Sequence, residues 1–429
     1  MTDHTFRAET LAIHAGQIPD RATGSRALPI YQTSSFVFDS AEHAASLFNL
    51  QTFGNIYSRL SNPTVAALEE RIAALEGGRA GIASSSGMAA EAMALLTILQ
   101  QGDHIVAAGS LYGGTVTLLA VSLKKFGIHT TFVDASDPEN FAKAITVNTR
   151  AIFAESLGNP SLKVLDIQAV SNIAHEHGIP LIIDNTVPSP FLCNPLSYGA
   201  DIVVHSATKY LGGHGTTLAG LVVEGGKFPW DNGKFPGMTE PSPGYHGVKF
   251  YETFGDFAFT MRARMEMLRV YGSTLSPTAA WQILQGIESL HVRMERHCFN
   301  ALKVAEFLQQ DHRISWINYP GLPDNPQYEL VKKQMREING SPGASSLLAF
   351  GVKGGLEAGM EFIKAAQFMS HVANIGDTRT LIIHPASTTH RQLDDQQKIE
   401  AGVHPDMIRM SVGIEHIDDI IWDIDQALG

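Results

Sequence analysis

The stretch from about residue 80 to 225 predicts an α/β protein built on a mostly parallel sheet covered by helices. Three observations carry that reading. Seven short apolar runs recur at 80–83, 104–107, 129–133, 151–155, 181–184, 202–205 and 218–223. Helical patterns fall between them, at 88–99, 115–126, 138–144 and 165–177. Strands that alternate with helices of this length pair in parallel, because each crossover returns the chain to the same end of the sheet. Finally, chemistry-bearing residues stand where such runs end: Asp184 closes one, and Lys209 follows soon after another. Open sheets of this kind bind ligands at the carboxyl ends of their strands.

Taken in order, residues 1–62 contain many turn residues and few long periodic segments, so they read as an extended arm with one short helix near 41–48. An arm of this kind cannot bury Phe36, Val37, Phe38 and Phe53 within itself, and it is expected to lie on another surface, such as a second subunit. From Asn62-Pro63-Thr64 a helix is expected, with Val65, Leu68, Ile72 and Leu75 spaced by three or four and a stop at Gly77-Gly78. Residues 225–256 are rich in glycine, proline and aromatics. They read as an ordered loop, and Trp230 and Tyr245 make it a candidate for narrowing a site entrance. Long helices are expected at 257–272 and 278–309. The remainder, with strands at 346–351 and 380–383, reads as a smaller α/β domain. The division expected is an arm at 1–62, a larger domain at 63–275 and a C-terminal domain at 276–429.

Composition narrows the function classes. At 429 residues the chain is too long for one small core. A net charge of −12 disfavours nucleic acid or an anionic membrane as partner. Two cysteines, Cys193 and Cys298, do not make a disulfide framework or a cysteine-rich zinc site. No apolar run reaches membrane-spanning length, and the start lacks a basic-then-apolar signal pattern, so the cytoplasm is the expected compartment. His175 and His177 stand two apart, which puts their rings on different faces of a helix; they and the histidines from His384 to His390 do not suggest a metal site. Gly212-Gly213-His214-Gly215 lacks the last glycine of a dinucleotide fingerprint, because Leu218 stands there.

The chemistry centres on Ser206-Ala207-Thr208-Lys209. Desolvating an ammonium is costly, so a lysine delivered by an apolar strand points to a task. A lysine of depressed pKa forms a Schiff base with a carbonyl cofactor. A strand-end aspartate, here Asp184, suits the pyridine nitrogen of pyridoxal phosphate. Ser84-Ser85-Ser86-Gly87-Met88 follows a strand and opens a helix, where free amides bind phosphate; read alone, a serine before a helix is more often just an N-cap. Tyr57-Ser58-Arg59 offers a hydroxyl and a bidentate cation, or simply an exposed loop arginine. Tyr112 offers a ring to a planar cofactor, or plain turn packing. Arg409 lies inside an apolar run and needs a carboxylate, from the chain or from a ligand.

Together these segments resemble the Cys/Met-metabolism family of pyridoxal-phosphate enzymes, from Thr10–Gly16 through Tyr57–Thr64, Ser85–Ala89, Asp184-Asn185-Thr186, Ser206–Lys209 and His384–Thr389 to Ser411–Glu415. The resemblance implies the aspartate-aminotransferase (type I) fold and a homotetramer with active sites shared between paired subunits. By motif it implies Lys209 as the cofactor-bearing lysine and Asp184 at the pyridine nitrogen. Gly87, Met88, Ser206 and Thr208 are then at the phosphate, with Tyr57 and Arg59 reaching it from the neighbouring subunit. Tyr112 becomes the stacking ring, Asn159 faces the phenolic oxygen, and Arg409 takes the substrate α-carboxylate.

The long 225–256 loop, and Asn374 where many lyases of the family carry serine, are similar to the O-acetylhomoserine sulfhydrylase branch. The activity this implies is replacement of acetate by sulfide on O-acetyl-L-homoserine, giving L-homocysteine. Lys209 is then the proton carrier, Tyr112 a possible assistant at the γ-carbon, and Asn374 a substrate contact. A methionine γ-lyase or a cystathionine γ-synthase would share every cofactor residue. A non-catalytic α/β binding protein is the alternative of a different class, against which intact Lys209, Asp184 and Arg409 argue.

Overall fold

The computed structural model describes residues 5–388 and 402–429; Thr389 and His390, the end of the histidine-containing motif, lie outside the described residues. The chain forms two compact units. One holds the chain up to Leu99 together with Asp201–Thr208 and Thr216–Glu288. The other holds Gln100–Ala200, Lys209–Gly215 and the chain from Ser289.

All seven predicted strands form: β1 Ala80–Ser84, β2 His104–Ala108, β3 His129–Val133, β4 Thr149–Glu155, β5 Leu181–Asp184, β6 Ile202–Ser206 and β7 Gly220–Glu224. Within the first unit the strand order is β1-β7-β6, and within the second it is β5-β4-β2-β3. In the second unit β3, β2, β4 and β5 pair in parallel. In the first unit β7 is antiparallel to both β1 and β6. The central strands are apolar and β-branched because both faces are covered: Leu181, Ile182 and Ile183 are fully buried, as are Ile202, Val203 and Val204.

The second unit also carries β8 Ile314–Asn318, β9 Glu337–Ile338, β10 Ser341–Pro342, β11 Leu347–Val352, β12 Ser370–His371, β13 Leu381–Ile383 and β14 Met407–Ser411. Five of these form a sheet in the order β12-β13-β14-β11-β8, and β9 pairs with β10. The smaller α/β portion expected near the C-terminus is thus built on a separate sheet.

The helix Pro63–Glu76 starts where its signals place it: the Asn62 side chain accepts from Thr64 N and proline fills the first turn. Four details differ from the sequence reading. A second arm helix forms at Ala8–His14, too short to show much periodicity. The 115–126 segment winds as α at Gly113–Thr117, π at Leu118–Ser122 and 3-10 at Leu123–Phe126, changes of hydrogen-bond register that an apolar period does not encode. The segment near 257–272 likewise passes through a π stretch at Ala263–Leu268. The expected 278–309 helix is two, Pro277–Glu288 and Leu290–Gln310. Ser289 between them sits at φ −104°, ψ 8°, and the apolar spacing of Ile283, Ile287, Leu290 and Met294 runs straight through the break.

The 225–256 loop is ordered and includes short helices at Pro236–Thr239 and Phe250–Phe254. Its aromatics serve packing in the first unit. Trp230 is buried, stacks on Phe259 at 5.9 Å and meets Phe228 and Phe235 edge-on. Tyr245 is buried and donates its hydroxyl to Phe48 O at 3.0 Å. Neither ring is left to line an entrance.

Candidate functional site

In the second unit, Lys209 begins the turn that follows β6 and Thr208. Its Nζ donates to Asn374 Oδ1 at 2.5 Å. Burial, and then the positive field of Arg409, lower its pKa to about 8. A poorly solvated ammonium beside a second cation releases its proton easily, so this lysine is part neutral near pH 8.

Arg409 occupies the middle of β14 and is 8% exposed. Nη1 donates to Asn159 Oδ1 at 3.1 Å, and Nη2 donates to Asn374 O at 3.1 Å. Its buried Nε has no hydrogen-bond partner among the described residues. Burial pulls the guanidinium down to about 10. This cation is met by two neutral amide oxygens and keeps a donor unsatisfied. That arrangement suits an incoming carboxylate rather than a structural ion pair.

Asp184 ends β5 directly beside Glu155, which ends β4 in parallel register. Asp184 Oδ1 accepts from Thr186 N at 2.8 Å. Glu155 accepts from Tyr112 N at 2.6 Å and from Asn159 N at 3.1 Å, one bond to each carboxyl oxygen. Burial first, and the Asp184 charge second, push the Glu155 carboxyl well above the usual carboxylate range. Glu155 therefore fixes the backbone at two of the predicted site residues. The sequence analysis did not single it out, although it closes an apolar run just as Asp184 does. The Tyr112 ring itself is half-exposed.

The first unit holds the predicted phosphate residues. Ser86 caps the helix Gly87–Ile98 by accepting from Ala89 N with its side chain (3.2 Å) and from Ala90 N with its carbonyl (3.0 Å). The first two amides, of Gly87 and Met88, have no such partner within the helix. A Cβ at Gly87 would stand 2.6 Å from Ser206 Cβ and 2.9 Å from its Oγ, so only glycine lets the helix start lie against the end of β6. Thr208 Oγ1 is held just before β7, donating to Ala219 O at 3.3 Å and accepting from Ala219 N at 3.1 Å. Amides at a helix start beside a serine hydroxyl fit a phosphate. Tyr57 and Arg59 are exposed, the guanidinium 5.3 Å from the Tyr57 ring centroid. Among the described residues no group of side chains is arranged to hold a metal ion, and no helix is long and apolar enough to cross a membrane.

In the second unit a lysine of lowered pKa and a strand-end aspartate, and in the first unit, taken by itself, a helix start with free amides, are each features that suit pyridoxal phosphate. The chain belongs to the Cys/Met metabolism PLP-dependent enzyme family, whose model matches residues 9–429. It is similar to the O-acetyl-L-homoserine sulfhydrylase of Leptospira meyeri, with 56% identity over 99% of this chain and 97% of that one. It is also similar to O-acetyl-L-homoserine sulfhydrylase 1 of Thermus thermophilus, with 49% identity over 99% and 100%. A Campylobacter jejuni structure assigned as an O-acetylhomoserine (thiol)-lyase superposes with a TM-score of 0.95 at 42% identity, over 99% of this chain and 100% of that one. It carries N'-pyridoxyl-lysine-5'-monophosphate.

Proposed function

We infer that this chain is a pyridoxal-phosphate enzyme that replaces the acetate of O-acetyl-L-homoserine by sulfide, giving L-homocysteine. The observation that carries the reading is the Asn374 junction, where Lys209 and Arg409 converge on one residue and Arg409 Nε stays unsatisfied. An amino-acid substrate anchored there by its α-carboxylate has its Cα near the lysine amine.

When bound, the cofactor supplies an electron sink that acidifies the substrate Cα and Cβ protons. The residues do the rest. Lys209 carries the cofactor, and its freed amine, neutral above about pH 8, takes the Cα proton and later returns one. Asp184 keeps the pyridine nitrogen protonated. Gly87, Met88, Ser206 and Thr208 hold the phosphate, Tyr112 covers the ring, and Asn159 faces the phenolic oxygen. Arg409 fixes the α-carboxylate, and Asn374 orients the amine and the guanidinium. Loss of a Cβ proton supplies the electron pair that expels acetate as the Cγ–O bond breaks; sulfide then forms the new C–S bond at Cγ, and a proton returns to Cβ. Tyr112 assists proton transfer at the γ-carbon.

The assembly is a homotetramer with sites shared between paired subunits, in which Tyr57 and Arg59 serve the neighbour's phosphate. The arm supports this: Val37 is 95% exposed and Phe53 77%, apolar surface that a lone chain leaves in water.

Product analysis tests the reaction. With O-acetyl-L-homoserine and sulfide, homocysteine and acetate should appear one for one. Release of ammonia and a 2-oxo acid instead would establish a γ-lyase, and faster formation of cystathionine from equal cysteine would establish a γ-synthase.

A further inference from the structure

Lys209 and Asn374 are far apart in sequence, and the bond between them depends on how two loops are held. A chain of buried hydroxyls does the holding. Tyr210, the next residue after Lys209, is fully buried, and its Oη lies 2.7 Å from Ser346 Oγ. Ser346 Oγ lies 3.4 Å from Ser411 Oγ. Ser411, two residues beyond Arg409 on β14, accepts from Gly376 N at 2.9 Å. Gly376 is left-handed at φ +73°, and a Cβ there would stand 2.7 Å from Tyr210 N and 2.9 Å from its ring, so the loop bearing Asn374 rests directly on Tyr210. The circuit then closes through Lys209 Nζ on Asn374 Oδ1 and Arg409 Nη2 on Asn374 O. On its other side Tyr210 is pinned by Arg293, whose Nη1 donates to Tyr210 O at 2.8 Å. It also meets the ring of His297 at 5.7 Å, edge to face.

We propose that Tyr210 and Ser411 are positioning residues for the reaction, their hydroxyls fixing the 374–376 loop so that Asn374 Oδ1 meets the Lys209 amine. The inference rests on Lys209 being the reacting amine. Neither hydroxyl touches Lys209; each acts through the loop. Buried side-chain networks hold a single geometry only while every member is satisfied. Removing one hydroxyl frees the loop and weakens the carbonyl's grip on the amine. A carbonyl acceptor favours the ammonium form, so its loss moves the lysine pKa down, away from the value of about 8 found here.

The test measures Lys209 in full-length, cofactor-free protein by the pH dependence of its acetylation with acetic anhydride, read by mass spectrometry. It also measures steady-state kinetics of the loaded enzyme. In Tyr210→Phe the labelling midpoint should fall by about half a pH unit or more, and kcat about tenfold with KM little changed, the size expected for a misplaced acid–base group. Ser411→Ala should behave alike, and Ser411→Thr, which keeps the hydroxyl, should restore the parent midpoint. Tyr198→Phe is the control: Tyr198 is half-buried in the same unit and its hydroxyl donates to Lys333 O at 2.9 Å, with no bond to any member of the circuit, so it should leave the midpoint where it is. An unmoved midpoint in Tyr210→Phe, or an equal shift in Tyr198→Phe, overturns the positioning role and leaves the proposed reaction standing. A shifted midpoint with unchanged kcat upholds the positioning and overturns instead the use of Lys209 as proton carrier.

Discussion

Arg409 shows how burial assigns a side chain its work. A guanidinium 8% exposed among strand residues must be answered by acceptors, and its two terminal nitrogens find only amide oxygens. The unsatisfied Nε is a donor without an acceptor, which supports the proposed role of Arg409 at the substrate carboxylate. Removing one member of a buried, hydrogen-bonded charge pair costs about 2–5 kcal/mol, so Arg409→Ala should lower kcat/KM by roughly 30-fold or more. Arg409→Lys should recover only part of that, because an ammonium cannot make the fork. Cofactor content, read from absorbance, should stay at the parent level. Loss of cofactor with a normal KM would contradict the assignment. Much at this scale was legible in sequence. A charged residue inside or at the end of an apolar run is conspicuous, and Lys209, Asp184 and Arg409 each have that mark. Glu155 has it too, but its partners are main-chain amides that no motif reports. The Tyr210 circuit left no mark, since its first hydroxyl partner lies 136 residues away.

At the scale of elements, period and punctuation succeed or fail for identifiable reasons. Each of the seven predicted strands formed, because strands buried on both faces read as unbroken apolar runs between turns. The helix at Pro63 was legible from its cap and proline. The break at Ser289 was not, because the core-facing stripe continues across it and no glycine or proline interrupts the chain. The aromatic loop was legible as ordered but not in its role. Aromatic content marks burial, and only the structure shows Trp230 turned into the core against Phe259. The same distinction governs the helix at Gly87. Ser86 caps it, as the plain reading has it, and because its side chain bonds Ala89 N the amides of Gly87 and Met88 keep no partner within the helix, which supports the proposed phosphate role.

For the whole molecule, the proposal of a site completed by a second chain rests on the arm's uncovered apolar side chains and the exposed pair Tyr57 and Arg59. Lys209→Ala and Arg59→Ala proteins, each nearly inactive, should regain activity when their subunits exchange, because one site of a hybrid pair receives both intact residues. Hybrids demonstrated by mass spectrometry but lacking activity would place Arg59 in its own chain's site or in none. Beneath all of these outcomes stands one lysine, half-buried, its pKa lowered to about 8 by its surroundings, and held by Asn374. Borohydride reduction of the loaded protein, followed by peptide mapping, tests that claim most directly. The account predicts a single pyridoxylated residue, Lys209, and a label on any other lysine, or on none, would contradict it.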